Sequence, residues 1–413
     1  MMPAEGSISD MRIVKQDGEV QLTYCMNVHP MDSGDDVLSA LDSYAAVVGA
    51  EVAREQPFGL GLRLSNNALE AFSNSESALS SLKKKLDEHN LYVFTANGFP
   101  FGKFQGQSVR EAVYSPDWRT PERLRYSLRL AELMAELLPA GVTYGSMNTL
   151  PGSYKSWIAD GEDYDAVLRN LAEMAWGLDA VRNRTGKHIW LALEPEPKCL
   201  WETTADIVRL FEDDFPHRAA SLMSERHECS VSYARRILRG YIGVCLDACH
   251  LAVMGEALEE VFEHMHRRGI FVPKVHLSAA VAGTVTEETM SRLERMKNER
   301  FMQQTGVIRR NGPDTELYED LSEALAGVSS CDEADARIVP HIHTPLHISP
   351  GEGLESTREN LSDRFFSELL KGETEHAEIE TYTFDVLPEE FREHSVTEGI
   401  VKEFQWVQHR IYG

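Results

Sequence analysis

Positive charge is what this chain has least of. Its 413 residues carry 41 Lys and Arg against 66 Asp and Glu, a formal net charge of −25. So acidic a surface repels a phosphate backbone, because nucleic-acid affinity comes mainly from Lys and Arg displacing counterions. No nucleic-acid partner is expected, and anionic membrane surfaces are disfavoured by the same repulsion. Long apolar runs are missing too. None approaches the roughly 18 residues a membrane span needs, so no membrane insertion is expected. The N-terminal stretch lacks a basic segment followed by an apolar one, so it reads as no signal peptide and the protein as cytoplasmic. The six cysteines (25, 199, 229, 245, 249 and 331) include no C-x-x-C pair. Such scattered cysteines read as reduced thiols, and a zinc ribbon or thioredoxin-type motif is unsupported. No Gly-x-Gly-x-x-Gly follows the first apolar run, which removes the dinucleotide fingerprint. No Gly-x-Ser-x-Gly elbow is present, which weakens a serine-nucleophile mechanism.

What is present is a repeating pattern. Apolar runs occur at 22–25, 59–64, 91–96, 142–147, 189–194, 241–247, 273–278, 337–343 and 378–384. They are rich in Val, Ile, Leu, Tyr and Phe, as buried strands are. Segments with helical apolar spacing lie between them, at 35–53, 121–138 and 164–183. Asn90, Gly141, Gly186, Gly240, Gly269 and Gly372 stand where helices should stop. Strand and helix in alternation predict an α/β fold with parallel strands inside and helices outside. About eight such units, without the dinucleotide signature, favour a (β/α)8 TIM barrel over an open sheet. Residues 1–19 read as a flexible terminus and 20–413 as one barrel domain. The long interval between His276 and Glu380 predicts an insertion after the seventh strand, about 279–336, with a helix over 286–301. RIVPHIH at 337–343 reads as a ninth strand or an extended loop lining the barrel top.

In such a barrel the active site lies at the C-terminal strand ends. Strand five ends in Glu194-Pro-Glu196 and strand six in Asp247-Ala-Cys-His250. Strand seven carries His276 and the last run carries Glu378-Ile-Glu380. Converging carboxylates repel one another unless a cation sits among them. Glu194, Asp247, His276 and Glu380 are therefore the expected metal ligands, with His250, His341 and His343 as further ligands. Their mixed oxygen and nitrogen atoms suit Mn²⁺, Zn²⁺, Fe²⁺ or Co²⁺ better than Mg²⁺. Glu194 and Glu380 are the expected catalytic residues. Glu378 competes with Glu380 and, by alternation, sits one layer deeper on the same side. Asn27, His29, Arg63, Asn97, Asn148 and Glu196 are expected to contact the substrate, a small polyol.

A ligand order of Glu, Asp-x-x-His, His and Glu at consecutive strand ends resembles the xylose isomerase-like superfamily of sugar isomerases and epimerases, which includes endonuclease IV. The resemblance implies metal binding by Glu194, Asp247 with His250, His276 and Glu380. His341-x-His343 resembles the Asp-x-His pair of endonuclease IV with the Asp replaced. Across nearly the whole chain, segments such as NGFPFG, LALEPEPKCLWET and IETYTFDVLP resemble the metabolite traffic protein EboE family. That resemblance implies a TIM barrel acting in processing or export of a small metabolite. The leading expectation is a metal-dependent isomerase or epimerase of a sugar- or cyclitol-like metabolite. The alternatives are a two-metal hydrolase of a small phosphoester and a non-catalytic metabolite carrier. The expected partners are a small-molecule substrate, a second copy of the chain and proteins of the same pathway.

Overall fold

The computed structural model describes residues 12–15, 18–309, 315–328, 335–351, 353–372 and 374–412. Cys331 lies outside them, as do residues 1–11 and 16–17 of the expected flexible terminus.

Eight parallel strands form the inner layer: β1 (Gly18–Tyr24), β2 (Phe58–Arg63), β3 (Leu91–Asn97), β4 (Tyr144–Thr149), β5 (His188–Leu193), β6 (Ile242–Asp247), β7 (Lys274–Leu277) and β8 (His376–Ile379). β1 pairs with β8, and pairing then runs unbroken through β7, β6, β5, β4 and β3 to β2. A parallel bridge between Cys25 and Gly61 closes the gap from β1 to β2. This is the (β/α)8 barrel expected from the alternation.

The outer helices follow local signals. The longest, Gly161–Thr185, starts at Asp160, whose side chain accepts from the backbone N–H of Glu162 and Asp163. It buries Val167, Leu168, Leu171, Ala175 and Leu178, and it stops at Gly186 with φ of 73°, where a Cβ would be strained. Gly240, by contrast, lies inside the helix Val231–Tyr241, and Gly141 and Gly372 have no positive φ. The helix expected over 35–53 is present but passes through a π-helical stretch at Leu41–Ala45.

Four expectations about segments are corrected. Arg12–Lys15 pairs antiparallel with β1, so this part of the terminus is sheet. The insertion after β7 continues past 336 to about residue 361, since the next helix toward β8 is Asp363–Lys371. Within it the helix covers only Glu287–Glu294. RIVPHIH contributes Arg337–Pro340 to a separate five-stranded antiparallel sheet, not to the barrel. Apart from Arg337–Pro340, its strands of two to four residues gave no signal in the sequence.

The C-terminal helix Val396–Tyr412 packs against the helices Ala46–Val52 and Asp363–Lys371. Its buried Glu403 accepts from the Leu346 N–H at 3.0 Å and from the Thr381 hydroxyl at 2.7 Å. Burial outweighs these bonds and raises the Glu403 carboxyl from 4.5 to about 8. Between those values the folded protein holds a proton that the unfolded chain has released, so this group's contribution to stability falls as pH rises. Glu403→Gln is therefore expected to be more stable than wild type at pH 8, by a few kcal/mol with about 5 as the ceiling. Urea denaturation at pH 5 and pH 8 checks this: parallel pH profiles for the two proteins would contradict it. Among the described residues no helix is long and apolar enough to cross a membrane.

Candidate metal centre and active-site cleft

Strand register sets the site. Asp247 pairs with His276 across β6 and β7, and His276 pairs with Glu378 across β7 and β8. Leu193, at the end of β5, pairs with Thr149 and Val244. Glu194, Asp247, His276 and Glu380 thus project from four consecutive strand ends. One ligand atom from each lies within 4.8 Å of all the others, and all four residues are buried. His276 Nδ1 is 2.9 Å from Glu194 Oε1, 2.8 Å from Glu380 Oε2 and 3.4 Å from Asp247 Oδ2.

Each carboxylate is aimed by its other oxygen. Asn148 Nδ2 donates to Glu194 Oε2 at 2.7 Å. Asn27 and Asn97 both donate to Glu380 Oε1, at 2.8 and 3.2 Å. Asp247 Oδ1 caps the helix Ala248–Met254 through the His250 N–H at 2.8 Å and also accepts from Ser278 Oγ at 2.9 Å. Asp247 Oδ2 is buried without a hydrogen-bond partner. A buried carboxylate oxygen without a donor is costly. Three carboxylate oxygens around one ring nitrogen also exceed what a single N–H can serve. A cation among them removes both costs, so the donor set fits a divalent metal.

Beneath this cluster the barrel interior stays charged. Glu378 Oε2 is 3.2 Å from His276 Nε2 and forms an ion pair with Lys274. Lys274 also donates to Asn148 Oδ1 at 2.8 Å. Burial opposes ionisation of Glu378, but Lys274 and His276 outweigh it and hold the carboxyl at about 2. His276 thus presents Nδ1 to the three carboxylates, with its Nε2 beside the Glu378 carboxylate below. A Cβ at Gly61 would overlap the Glu378 carboxylate, so glycine there makes room for it.

A second cluster adjoins the first. His343 Nδ1 lies 2.7 Å from the Glu380 carbonyl oxygen and donates to it. Gln304 spends its amide N–H groups on Tyr114 and the Pro197 carbonyl, so its oxygen faces His341 Nδ1 at 3.0 Å and accepts from it. With both Nδ1 protons placed, the two Nε2 lone pairs face each other at 3.2 Å. Burial and the neighbouring His250 and His343 push the His341 pKa down, which keeps that ring neutral. Lone pairs so opposed call for a shared proton or a cation. His250 donates from Nδ1 to the Pro195 carbonyl at 3.0 Å. Ligand atoms of His250 also group with those of Asp247 and His343, and with those of Glu196 and His341.

Glu194 and Glu380 of the first cluster and Glu196, His250 and His341 of the second line one cleft that is partly open to solvent. Asn27 and Asn97 line it as well. Asn27 Oδ1 is buried without a partner. Glu196 accepts from the Tyr114 hydroxyl at 2.7 Å, and burial raises its carboxyl to about 7.

Three expected substrate contacts lie elsewhere. Arg63 is buried and donates to the carbonyls of Met31 and Gly102, so it ties two loops together. His29 bonds the Tyr24 hydroxyl at 3.0 Å and stacks on Tyr44, away from the cleft. Asn148 sits behind Glu194 and does not line the cleft. Cys245 and Cys249 are packed, and burial raises both thiols, that of Cys245 to about 12. Lys274, Ser278, Tyr114 and Gln304 were not foreseen. Only Lys274 left a signal, a lysine inside the apolar run PKVHLS. Tyr114 and Gln304 arrive on loops with no motif.

No family model matches the sequence, and no curated protein matches it. Several solved structures are similar to the chain. The IolI protein with a bound zinc atom is 14% identical, with 94% of this chain and 97% of that one covered and a TM-score of 0.45. A xylose isomerase domain protein from Planctomyces limnophilus is 13% identical, with 61% and 74% covered and a TM-score of 0.36. The 3-keto-D-glucoside 4-epimerase YcjR from E. coli is 16% identical, with 62% and 78% covered and a TM-score of 0.33. The barrel assignment here rests on this chain's own strand pairing.

Proposed function

We propose that this protein is a metal-dependent isomerase or epimerase of a small polyhydroxylated, sugar- or cyclitol-like metabolite. The observation that carries the reading is the buried quartet of Glu194, Asp247, His276 and Glu380 at four consecutive strand ends, with Asp247 Oδ2 lacking any other partner. These four residues would hold one divalent cation, Mn²⁺, Zn²⁺, Fe²⁺ or Co²⁺ in preference to Mg²⁺. When bound, the cation supplies Lewis-acid polarisation of a substrate carbonyl or hydroxyl. Glu194 and Glu380 take and return the proton at carbon, each aimed by an asparagine amide. Asn27 Oδ1 accepts from a substrate hydroxyl in the cleft. Tyr114 holds Glu196 beside the same hydroxyls.

Elemental mass spectrometry on purified protein tests the reading. Wild type should carry about one equivalent of transition metal, and Asp247→Ala and His276→Ala should carry almost none. The metal-loaded protein should then wash solvent deuterium into a member of a sugar and cyclitol panel. Wild type that takes up no metal even after reloading would rule the reading out.

The opposed Nε2 atoms of His341 and His343 favour a second reading, a two-metal hydrolase of a small phosphoester. Two equivalents of metal, one lost in His343→Ala, together with phosphate release would establish it. The EboE-like segments support a place in processing or export of a metabolite, although no family model carries that resemblance further. Ligand recovered unchanged from the metal-loaded protein would point to a carrier instead.

A further inference from the structure

We infer that the substrate of this cleft bears an apolar arm, an aryl or short alkyl substituent, on its polar head. The inference rests on the reading of the polar lining as a polyol site and concerns the rest of the wall. Phe99, Phe104, Val109, Val113, Phe301 and Met302 line the same cleft. The one Arg or Lys in that lining, Arg110, is paired with Asp320 at 3.0 Å.

The wall is built, not incidental. Phe104, Phe301 and Tyr382 form a closed triangle of rings with centroids 5.2, 5.3 and 5.0 Å apart. The wall draws on three parts of the chain: the loop after β3, the insertion after β7, and Tyr382 after β8, whose carbonyl accepts from Gln105 Nε2 at 3.2 Å. Bonds to backbone carbonyls stitch the first two together: the Val109 N–H donates to the Arg300 carbonyl at 2.8 Å, and Ser108 Oγ donates to the Glu299 carbonyl at 2.5 Å. A bare polyol filling the cleft would set hydroxyls against these rings and lose their hydration without replacement. An apolar arm instead removes wall and arm from water together. The cleft therefore sorts substrates by two features, by hydroxyls against Asn27 and the carboxylates and by an apolar face against the rings.

The test uses Mn²⁺-reloaded protein and two probes, myo-inositol and its mono-O-benzyl ether, with affinities read by calorimetry. The ether should bind about 10-fold tighter or more in wild type. That preference should shrink to about 3-fold or less in Phe301→Ser and in the milder Val109→Asn, whose folding is checked by circular dichroism. Glu380→Gln should weaken both probes alike. Equal binding of the two probes by wild type, or binding of neither, overturns the apolar arm without needing any variant. If the probes bind equally and Glu380→Gln abolishes both, the polyol reading survives and the arm does not. Tight binding of the ether that ignores Glu380→Gln but falls in Phe301→Ser leaves the arm standing and removes the polyol reading.

Discussion

Lys274→Met should destabilise the protein by about 3–5 kcal/mol, the usual consequence of stripping one partner from a buried ion pair. Lys274 and Glu378 are both fully buried inside the barrel. With His276, the ammonium keeps the Glu378 carboxyl ionised against burial. Without it, Glu378 must either remain charged with only His276 beside it or take up a proton. Asn148 would also lose the donor on its Oδ1, loosening its hold on Glu194. The double variant Lys274→Met with Glu378→Gln should recover most of the loss, because no uncompensated charge remains. Denaturant melts of the single and double variants decide the matter. A single variant within about 1 kcal/mol of wild type, or a double variant no better than the single, would show that the pair does not act as a unit.

Glu194→Gln and Glu380→Gln should each lower solvent-proton exchange on the true substrate by about 10²–10⁴-fold, the span usual for a positioned acid or base. The amide keeps the shape of the carboxyl. In both variants the Gln oxygen can still accept from the asparagines, from Asn148 for Glu194 and from Asn27 and Asn97 for Glu380. The Gln NH₂ would then face His276 Nδ1, where a carboxylate oxygen now sits at 2.9 or 2.8 Å. Metal affinity should therefore fall as well, and exchange must be compared at saturating metal. Asn148→Ala provides the contrast: it frees Glu194 without removing it, so a smaller loss is expected. Unchanged exchange in both Gln variants would refute proton transfer by these carboxylates.

The barrel was readable because a buried parallel strand is a nearly continuous apolar run. LYVFTA at 91–96 became Leu91–Asn97, and YIGVCLD at 241–247 became Ile242–Asp247. The convergence of Glu194, Asp247, His276 and Glu380 was readable for a related reason: strand ends in this fold converge, so charged residues there meet. The depth of Glu378 also followed from alternation alone. Direction of reach was not readable. Arg63 and His29 occupy strand-end positions like those of Asn97 and Asn27, yet carbonyls and rings outside the cleft claim them. Asp247 does more than the ligand role expected of it, since one oxygen caps the helix Ala248–Met254 and the other faces His276. The extent of the insertion escaped because its strands are short and their pairing is antiparallel and distant in sequence.

The insertion enters and leaves through one doorway. The Ala280 N–H donates to Thr357 Oγ1 at 2.8 Å, and the Thr357 N–H donates back to the Ala280 carbonyl at 2.9 Å. Ends stapled so closely make the intervening stretch a cassette, which a barrel can gain or lose while β7 and β8 remain paired. His341, His343, Gln304 and Phe301 all ride on it. The imidazole pair and one side of the ring triangle therefore form a single inheritable package. A barrel that exchanged this cassette for another would keep its three carboxylates and His276 and acquire a new clientele in one evolutionary step.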